Sequence, residues 1–303
     1  MLSCVSLMAQ KQEVPRPRVL GIAHAAFYVS DLGKARGFYE DFLGFEEAFS
    51  LKRDDGSVRI AFVKINDNQY LELFTDPPRN DGQLNHVSLY TDSAQQMRDY
   101  LALYGVKVPE KVAKGKSGNY NFTITDPDGH GLEIVQYEQG SWTGQNHGKF
   151  LPSTRISNHL MHAGFLVREL DAAMKFYRDV LGFKEFWRGS SNGTELSWVN
   201  MRVPDGDDYV EFMLFTGTPT AEERGVKNHI SLLVPEMQKA VADLESRPAR
   251  KFYGREIKVQ VGKNRKRQVN LFDPDGTRVE LMEANTVDGF PAPSSTAPPP
   301  HEL

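Results

Sequence analysis

The chain has 303 residues, one cysteine (Cys4) and a formal net charge of −4, from 36 Lys and Arg against 40 Asp and Glu. That length suits two domains with sizeable cores, and 40% hydrophobic with 25% charged residues excludes disorder of the whole chain. The lack of a basic excess argues against nucleic-acid binding, the single cysteine excludes disulfide scaffolds and thiolate zinc sites, and no apolar run reaches the ~18 residues of a membrane span.

Residues 1–17 read as a flexible N-terminus. Residues 1–10 are also apolar and end near the small Ala9, as the end of a signal peptide would. The expected compartment is cytoplasmic by default and exported in that second case. A first domain spans 18–138. His24-Ala25-Ala26-Phe27-Tyr28-Val29 has strand composition. Asp31 then caps a helix running toward Leu43, with Leu32, Ala35, Phe38, Tyr39 and Phe42 on one face and Gly44 ending it in the left-handed conformation. The segments Arg59–Lys64 and Tyr70–Phe74 read as strands. The same order restarts at His86-Val87-Ser88-Leu89-Tyr90. Asp126-Pro127-Asp128-Gly129 reads as a tight turn that aims the strand after it.

Residues 139–156, rich in Gly, Ser, Asn and Gln, read as a linker. A second domain, 157–284, then repeats the first. Phe176-Tyr177-Arg178-Asp179-Val180-Leu181-Gly182-Phe183 repeats Phe38-Tyr39-Glu40-Asp41-Phe42-Leu43-Gly44-Phe45. Asn228-His229 repeats Asn85-His86, and Asp273-Pro274-Asp275-Gly276 repeats the Asp126 turn. Pro235 suits the first turn of a helix carrying Met237, Ala240, Val241 and Leu244. The basic run Lys263–Arg267 reads as a solvated turn between strands. Residues 285–303, with Pro291, Pro293, Pro298, Pro299 and Pro300, read as a disordered tail. The unit of strand, helix and about three strands thus occurs four times, near 18–76, 83–138, 157–217 and 226–284.

Each unit opens on a histidine (His24, His86, His162, His229) and carries a late glutamate between aliphatics (Glu72, Glu133, Glu211, Glu280). The strand period places each glutamate on the face opposite its apolar neighbours. A buried carboxylate is costly unless paired or bound to a metal. Two His and two Glu form an oxygen–nitrogen set suited to divalent Fe, Mn, Ni, Co or Zn, with positions left for a bidentate substrate, and one glutamate can shuttle a proton. His130 reads as a turn residue, His147 as linker and His301 as tail. His159 is an alternative ligand. Residues two along from a ligand share its face: Ala26, Tyr28, Ser88, Tyr90, Phe74 and Val135 make one pocket aromatic with hydroxyls. Gly164, Leu166, Ser231, Leu233, Met213 and Met282 make the other smaller and more aliphatic. No anion clamp for a thiol conjugate or a CoA ester stands out.

On these histidines, the Phe-Tyr-x-Asp-x-Leu-Gly-Phe repeat and the two Asp-Pro-Asp-Gly turns, residues 18–284 resemble the vicinal-oxygen-chelate superfamily, which includes glyoxalase I, bleomycin resistance proteins and extradiol dioxygenases. The resemblance implies an α+β fold of four βαβββ modules paired into two half-open mixed β-barrels. It also implies metal-chelating small-molecule substrates. Modules paired within halves give His24/Glu72/His86/Glu133 and His162/Glu211/His229/Glu280. Pairing between halves gives His24/Glu72/His229/Glu280 and His86/Glu133/His162/Glu211. The expected activity is a metal-dependent lyase or isomerase using Glu133 and Glu280 as bases. The alternatives are an iron-dependent ring-cleaving dioxygenase, against which Thr123 and Asn270 replace that family's tyrosine, and a ligand-sequestering binding protein. The chain is expected to be a monomer or a homodimer.

Overall fold

The computed structural model describes residues 14–78 and 82–300. The signal-peptide reading of residues 1–10, Cys4 and His301 fall outside the described residues.

The first half forms one eight-stranded sheet from β1 (Gly21–Tyr28), β2 (Glu46–Lys52), β3 (Val58–Asn66), β4 (Gln69–Phe74), β5 (Leu84–Tyr90), β6 (Ala113–Lys114), β7 (Tyr120–Thr125) and β8 (Gly131–Gln136). Their order is β2-β3-β4-β1-β5-β8-β7-β6. The second half repeats that order with β9 (Leu160–Val167), β10 (Lys184–Gly189), β11 (Trp198–Arg202), β12 (Tyr209–Leu214), β13 (His229–Leu233), β14 (Gln260–Val261), β15 (Lys266–Phe272) and β16 (Arg278–Thr286). Each sheet is mixed and curls into a half-open barrel, so the fold is the glyoxalase-like α+β architecture in tandem. Antiparallel β1–β5 and β9–β13 ladders join the modules within each half.

The helix after β1 begins as expected. Asp31 accepts a hydrogen bond from the Lys34 N–H at 3.0 Å, and Gly44 sits at φ 79°. The helix is α-helical only over α1 (Leu32–Arg36) and then widens into a π-helical turn, Gly37–Phe42, in which Leu43 N–H reaches back to Phe38 O. The second half repeats this with α4 (Leu170–Met174) and Lys175–Val180, the remaining α-helices being α2 (Ala94–Leu103), α3 (Trp142–Gln145), α5 (Ala221–Lys227) and α6 (Met237–Ser246). The widening turns Tyr39 and Tyr177 fully inward. Pro235 precedes the N-cap of α6 rather than sitting in its first turn. The basic run forms the turn between β14 and β15, with Lys266 and Arg267 inside β15.

The apolar faces of both sheets and the helices between them form one continuous core. Among the hydrogen bonds that tie the halves together, two run from the widened helical turns to the Asp-Pro-Asp-Gly turns. The Tyr39 hydroxyl donates to Asp273 Oδ2 (3.1 Å), and Tyr177 donates to Asp126 Oδ2 (3.0 Å). The same aspartates hold their own turns, Asp273 Oδ1 accepting from Asp275 and Thr277 N–H and Asp126 Oδ1 from Asp128 and His130 N–H. Burial pushes the Asp273 carboxyl up to about 6. A raised acid favours the folded state at low pH and loses that advantage as pH rises through its folded value. Asp273→Asn keeps the Oδ1 acceptor of the turn N–H groups and removes the charge, and its amide N–H replaces Oδ2 and donates to the Tyr39 hydroxyl oxygen instead. Urea unfolding is therefore expected to show the variant gaining on wild type by ~1–3 kcal/mol between pH 4 and 7.

The Pro-rich C-terminus differs from the disordered tail expected from 285. Residues up to Thr286 extend β16. Beyond it, Ser295 N–H bonds Arg188 O, Leu196 N–H bonds Pro298 O and the Trp187 indole donates to Pro293 O. Proline cannot donate, but its carbonyl accepts, so the segment takes the Trp187 indole of β10, the edge strand of its sheet, and the Leu196 N–H before β11.

Candidate functional site

The modules pair within halves, which decides between the two ligand groupings left open by the repeat. In the first half, His24 on β1 and His86 on β5 meet Nε2 to Nε2 at 2.9 Å. Glu72 on β4 and Glu133 on β8 lie 3.4 and 3.6 Å from His24 Nε2, and 3.9 and 3.8 Å from His86 Nε2. In the second half, His162 and His229 meet at 3.1 Å. Glu211 lies 3.4 Å from His229 Nε2, and Glu280 lies 3.5 Å from His162 Nε2. All eight positions named from the sequence therefore converge, four in each cup. The tightest groups are His24/His86/Glu133 and His162/His229/Glu280.

Register explains the convergence. β1 and β5 are antiparallel and central, so the histidines at their first turns of pleat face each other, with Ala26 opposite His86 and Gly164 opposite His229. The outer parallel strands bring the glutamates in, Ser88 opposite Glu133 and Ser231 opposite Glu280. His229 stands where a Cβ on Gly164 would collide with all three of its imidazole edge atoms. Gly164→Ala is expected to displace that buried ring and to cost about 1–3 kcal/mol in denaturant unfolding.

Burial holds the histidines neutral, lowering His86 to about 4 and His24, His162 and His229 well below the usual value. Burial also pushes Glu133 and Glu280 up to about 7, and Glu72 rises through burial and the charge of Glu133. Four such buried groups facing one another are individually expensive unless paired or bound to a cation. Neutral imidazoles beside carboxylates are also the donor state that a divalent cation requires. The orientations of two rings are fixed from behind. Asn85 Oδ1 lies 2.9 Å from His86 Nδ1, and Lys227 O lies 2.8 Å from His229 Nδ1.

The alternative ligand His159 does not join either group. Its Nε2 pairs with Asp208 Oδ1 at 2.7 Å, and the residue precedes the start of β9. His130 bonds Asp126 within its own turn, and His147 lies 3.4 Å from Asp67 at the linker.

The first cup opens into a cavity of about 280 Å³. Phe74 and Val135 line it as expected. Tyr28 instead packs edge-on against Phe74, and Tyr90 lies against Tyr137. Most of the aromatic wall comes from other residues: Phe49, Phe62 and Trp142, which spacing from the ligands does not reach, and Tyr70, two residues before Glu72 on its own face. Phe49 lies 4.6 Å from Phe62 and 5.3 Å from Trp142, ring centre to ring centre. Trp142 belongs to α3, inside the predicted linker, and its N–H bonds Ser117 O on the far rim. The linker is therefore part of the wall. The second set is more enclosed: the Glu280 side chain is 4% exposed against 16% for Glu133.

The chain's sequence matches the model of the Glyoxalase/Bleomycin resistance protein/Dioxygenase superfamily over residues 21–134 and again over 158–281. The chain belongs to that superfamily. Among curated relatives it is 24% identical over 198 residues to 4-hydroxyphenylpyruvate dioxygenase of Yarrowia lipolytica, covering 55% of this chain and 50% of that protein. It is 21% identical over 159 residues to glyoxalase I of Saccharomyces cerevisiae, covering 52% and 44%. The matched region thus spans about half the length of each. Among solved structures, homoprotocatechuate 2,3-dioxygenase of Brevibacterium fuscum with 3,4-dihydroxyphenylacetate superposes with a TM-score of 0.66 at 17% identity, covering 97% of this chain and 89% of the other. The Mn(II)-bound glyoxalase of Novosphingobium aromaticivorans gives 0.65 at 19% identity, covering 88% and 83%. These superpositions establish the shared fold. Among the described residues no helix is long and apolar enough to cross a membrane.

Proposed function

We propose that the chain is a divalent-metal-dependent lyase or isomerase that acts in its first cup on a small substrate with two neighbouring oxygens. One observation carries this reading: His24, Glu72, His86 and Glu133 converge from four strands at the floor of an open cavity. The set fits Fe, Mn, Ni, Co or Zn, and a cation held there supplies Lewis-acid polarisation of a substrate oxygen. His162, Glu211, His229 and Glu280 form the corresponding second set.

The chain's own residues then divide the work. Imidazoles held neutral by burial are ready donors without proton release. Glu133 stands beside both histidines at the floor of the cavity and is the carboxyl placed to take and return a proton. Phe49, Phe62, Phe74 and Trp142 exclude water from the space above it and pack against the body of the substrate.

That aromatic wall also favours a second reading, an iron-dependent dioxygenase acting on a ring. The two differ in what they consume. Metal-reconstituted protein, offered hemithioacetals and α-hydroxy ketones in deuterium oxide, is expected to exchange the carbon-bound proton for deuterium with no oxygen uptake. Stoichiometric oxygen consumption with catechols, and no exchange, would replace the first reading by the second.

A further inference from the structure

The repeat is broken where the two halves meet. Gln69 stands directly before Tyr70, and Asp208 directly before Tyr209, so the two are counterparts. They face each other across the seam, and the Gln69 amide donates to Asp208 Oδ2 at 3.1 Å. Gly21 and His159 are counterparts as well, each three residues before the first ligand histidine of its half. The glycine makes room, since a Cβ on it would stand 2.6 Å from Asp208 Oδ2. The histidine supplies a partner, its Nε2 lying 2.7 Å from Asp208 Oδ1. The two halves thus bring different chemistry to one joint, which the repeated fold alone does not require.

That joint stitches the starts of β1 and β9. Asp208 Oδ2 also accepts the Ile22 N–H at 2.8 Å. Gln69 Oε1 accepts the Leu160 N–H at 2.8 Å, and the Gln69 amide reaches Ile22 O at 3.1 Å and Leu160 O at 2.9 Å. The Asp208 side chain is 9% exposed and that of His159 is 35% exposed, so an imidazole meets a buried carboxylate from the solvent side. Among the described residues, the groups that bond this carboxylate are the Ile22 N–H, the Gln69 amide and His159. The first two are neutral at any pH, so the imidazole alone can bring a charge. Its hydrogen bond to Asp208, with the charges of Asp208 and Asp207, makes it hold its proton above the ordinary value, although burial opposes this. The other elements at the joint bring Ile22 of β1, Gln69 of β4, Leu160 of β9 and Leu233 of β13, none of them ionisable.

We infer that His159 and Asp208 form a proton-operated latch between the two halves. The imidazolium compensates the buried carboxylate and keeps β1 and β9 stitched together. Loss of its proton leaves that carboxylate without a counter-charge and loosens the seam. The neutral ring keeps a hydrogen bond through one tautomer, but bonds between ionised partners are about twice as strong as neutral ones. A histidine that holds its proton more tightly in the folded chain stabilises it fully below the unfolded value, ~6.5, and loses that effect as pH rises through the folded one. The latch therefore holds in acid and releases on the alkaline side. Ile22 lies two residues before His24, and Leu160 two before His162, so one proton acts on both cups together. The latch stands whether or not either cup holds metal.

Amide hydrogen exchange of the full chain, read by NMR between about pH 6 and about pH 8.5, tests the latch. The Ile22 and Leu160 N–H groups report the joint directly, and the Val106 N–H, bonded to Leu101 O, serves as the reference. After correction for intrinsic exchange, protection of the two joint amides is expected to fall by about tenfold relative to Val106 across that range. In His159→Gln and in Asp208→Asn the same ratio is expected to stay flat. His159 is part-exposed, so His159→Gln carries the test if Asp208→Asn does not fold. A ratio that does not change with pH in wild type overturns the inference, as does an equal fall in wild type and His159→Gln.

Discussion

Glu133→Ala is expected to lower turnover by about 10²–10⁴-fold and to release the cation held in the first cup. Two losses combine in that variant. The first is a candidate ligand carboxylate whose Oε1 lies 3.6 Å from His24 Nε2 and whose Oε2 lies 3.8 Å from His86 Nε2, and the second is the carboxyl proposed to move a proton. Glu133→Gln separates them. The amide keeps an oxygen and the side-chain volume, so part of the metal content survives while proton transfer does not. Glu280→Ala is expected to empty the second set alone, and the double variant to hold no metal. Elemental analysis of the four proteins, with deuterium exchange as the kinetic readout, checks the whole series.

Lys64→Ala is expected to be the most destabilising single change outside the core, at about 2–4 kcal/mol. Lys64 is fully buried, on the cup-facing side of β3 two residues from Phe62. Its ammonium donates to Asp67 Oδ1 (2.7 Å), Asn146 O (2.5 Å) and Lys149 O (3.0 Å). Removing it leaves Lys149 O without a partner and the Asp67 carboxylate without its cation, and leaves a cavity where the stem ran, while Asp67 Oδ1 keeps the Gly148 N–H and Asn146 O keeps the Lys149 N–H. The consequence extends beyond stability, because Asn146 and Lys149 belong to the same linker that presents Trp142 to the cavity. Without the ammonium that segment should detach before the sheet unfolds. Limited proteolysis is expected to nick the variant between residues 139 and 156 under conditions that leave wild type intact, and urea unfolding reads the loss of stability.

The repeat made the eight His and Glu positions legible, because a strand that must bury one face and present the other leaves a period-two record. Pairing of the modules left no such record. It depends on which central strands meet, here β1 with β5 and β9 with β13, and either pairing satisfies the same pattern of burial. The wall of the first cup was half legible. Phe74 shares a strand with Glu72, whereas Phe49 and Phe62 reach the cup through cross-strand register and Trp142 through the linker. Composition suggested a flexible connection for 139–156, but the buried ammonium of Lys64 overrode it. Tyr70 was within reach, since it lies two residues before Glu72 on β4 and shares its face. The π-helical turns were invisible. The apolar spacing of Phe38, Tyr39 and Phe42 fits an α-helix, and only the reach of Tyr39 to Asp273 in the other half explains why the helix widens there.

The two sets of two histidines and two glutamates are proposed as metal sites. Elemental analysis of the purified chain, prepared without a chelating tag and without added metal, tests this most directly. About two divalent metals per chain are predicted, with removal by chelator expected to lower the thermal midpoint, since a ligand at 100 times its Kd contributes about 2.7 kcal/mol. Metal absent both as purified and after reconstitution, with an unchanged thermal midpoint, would contradict it.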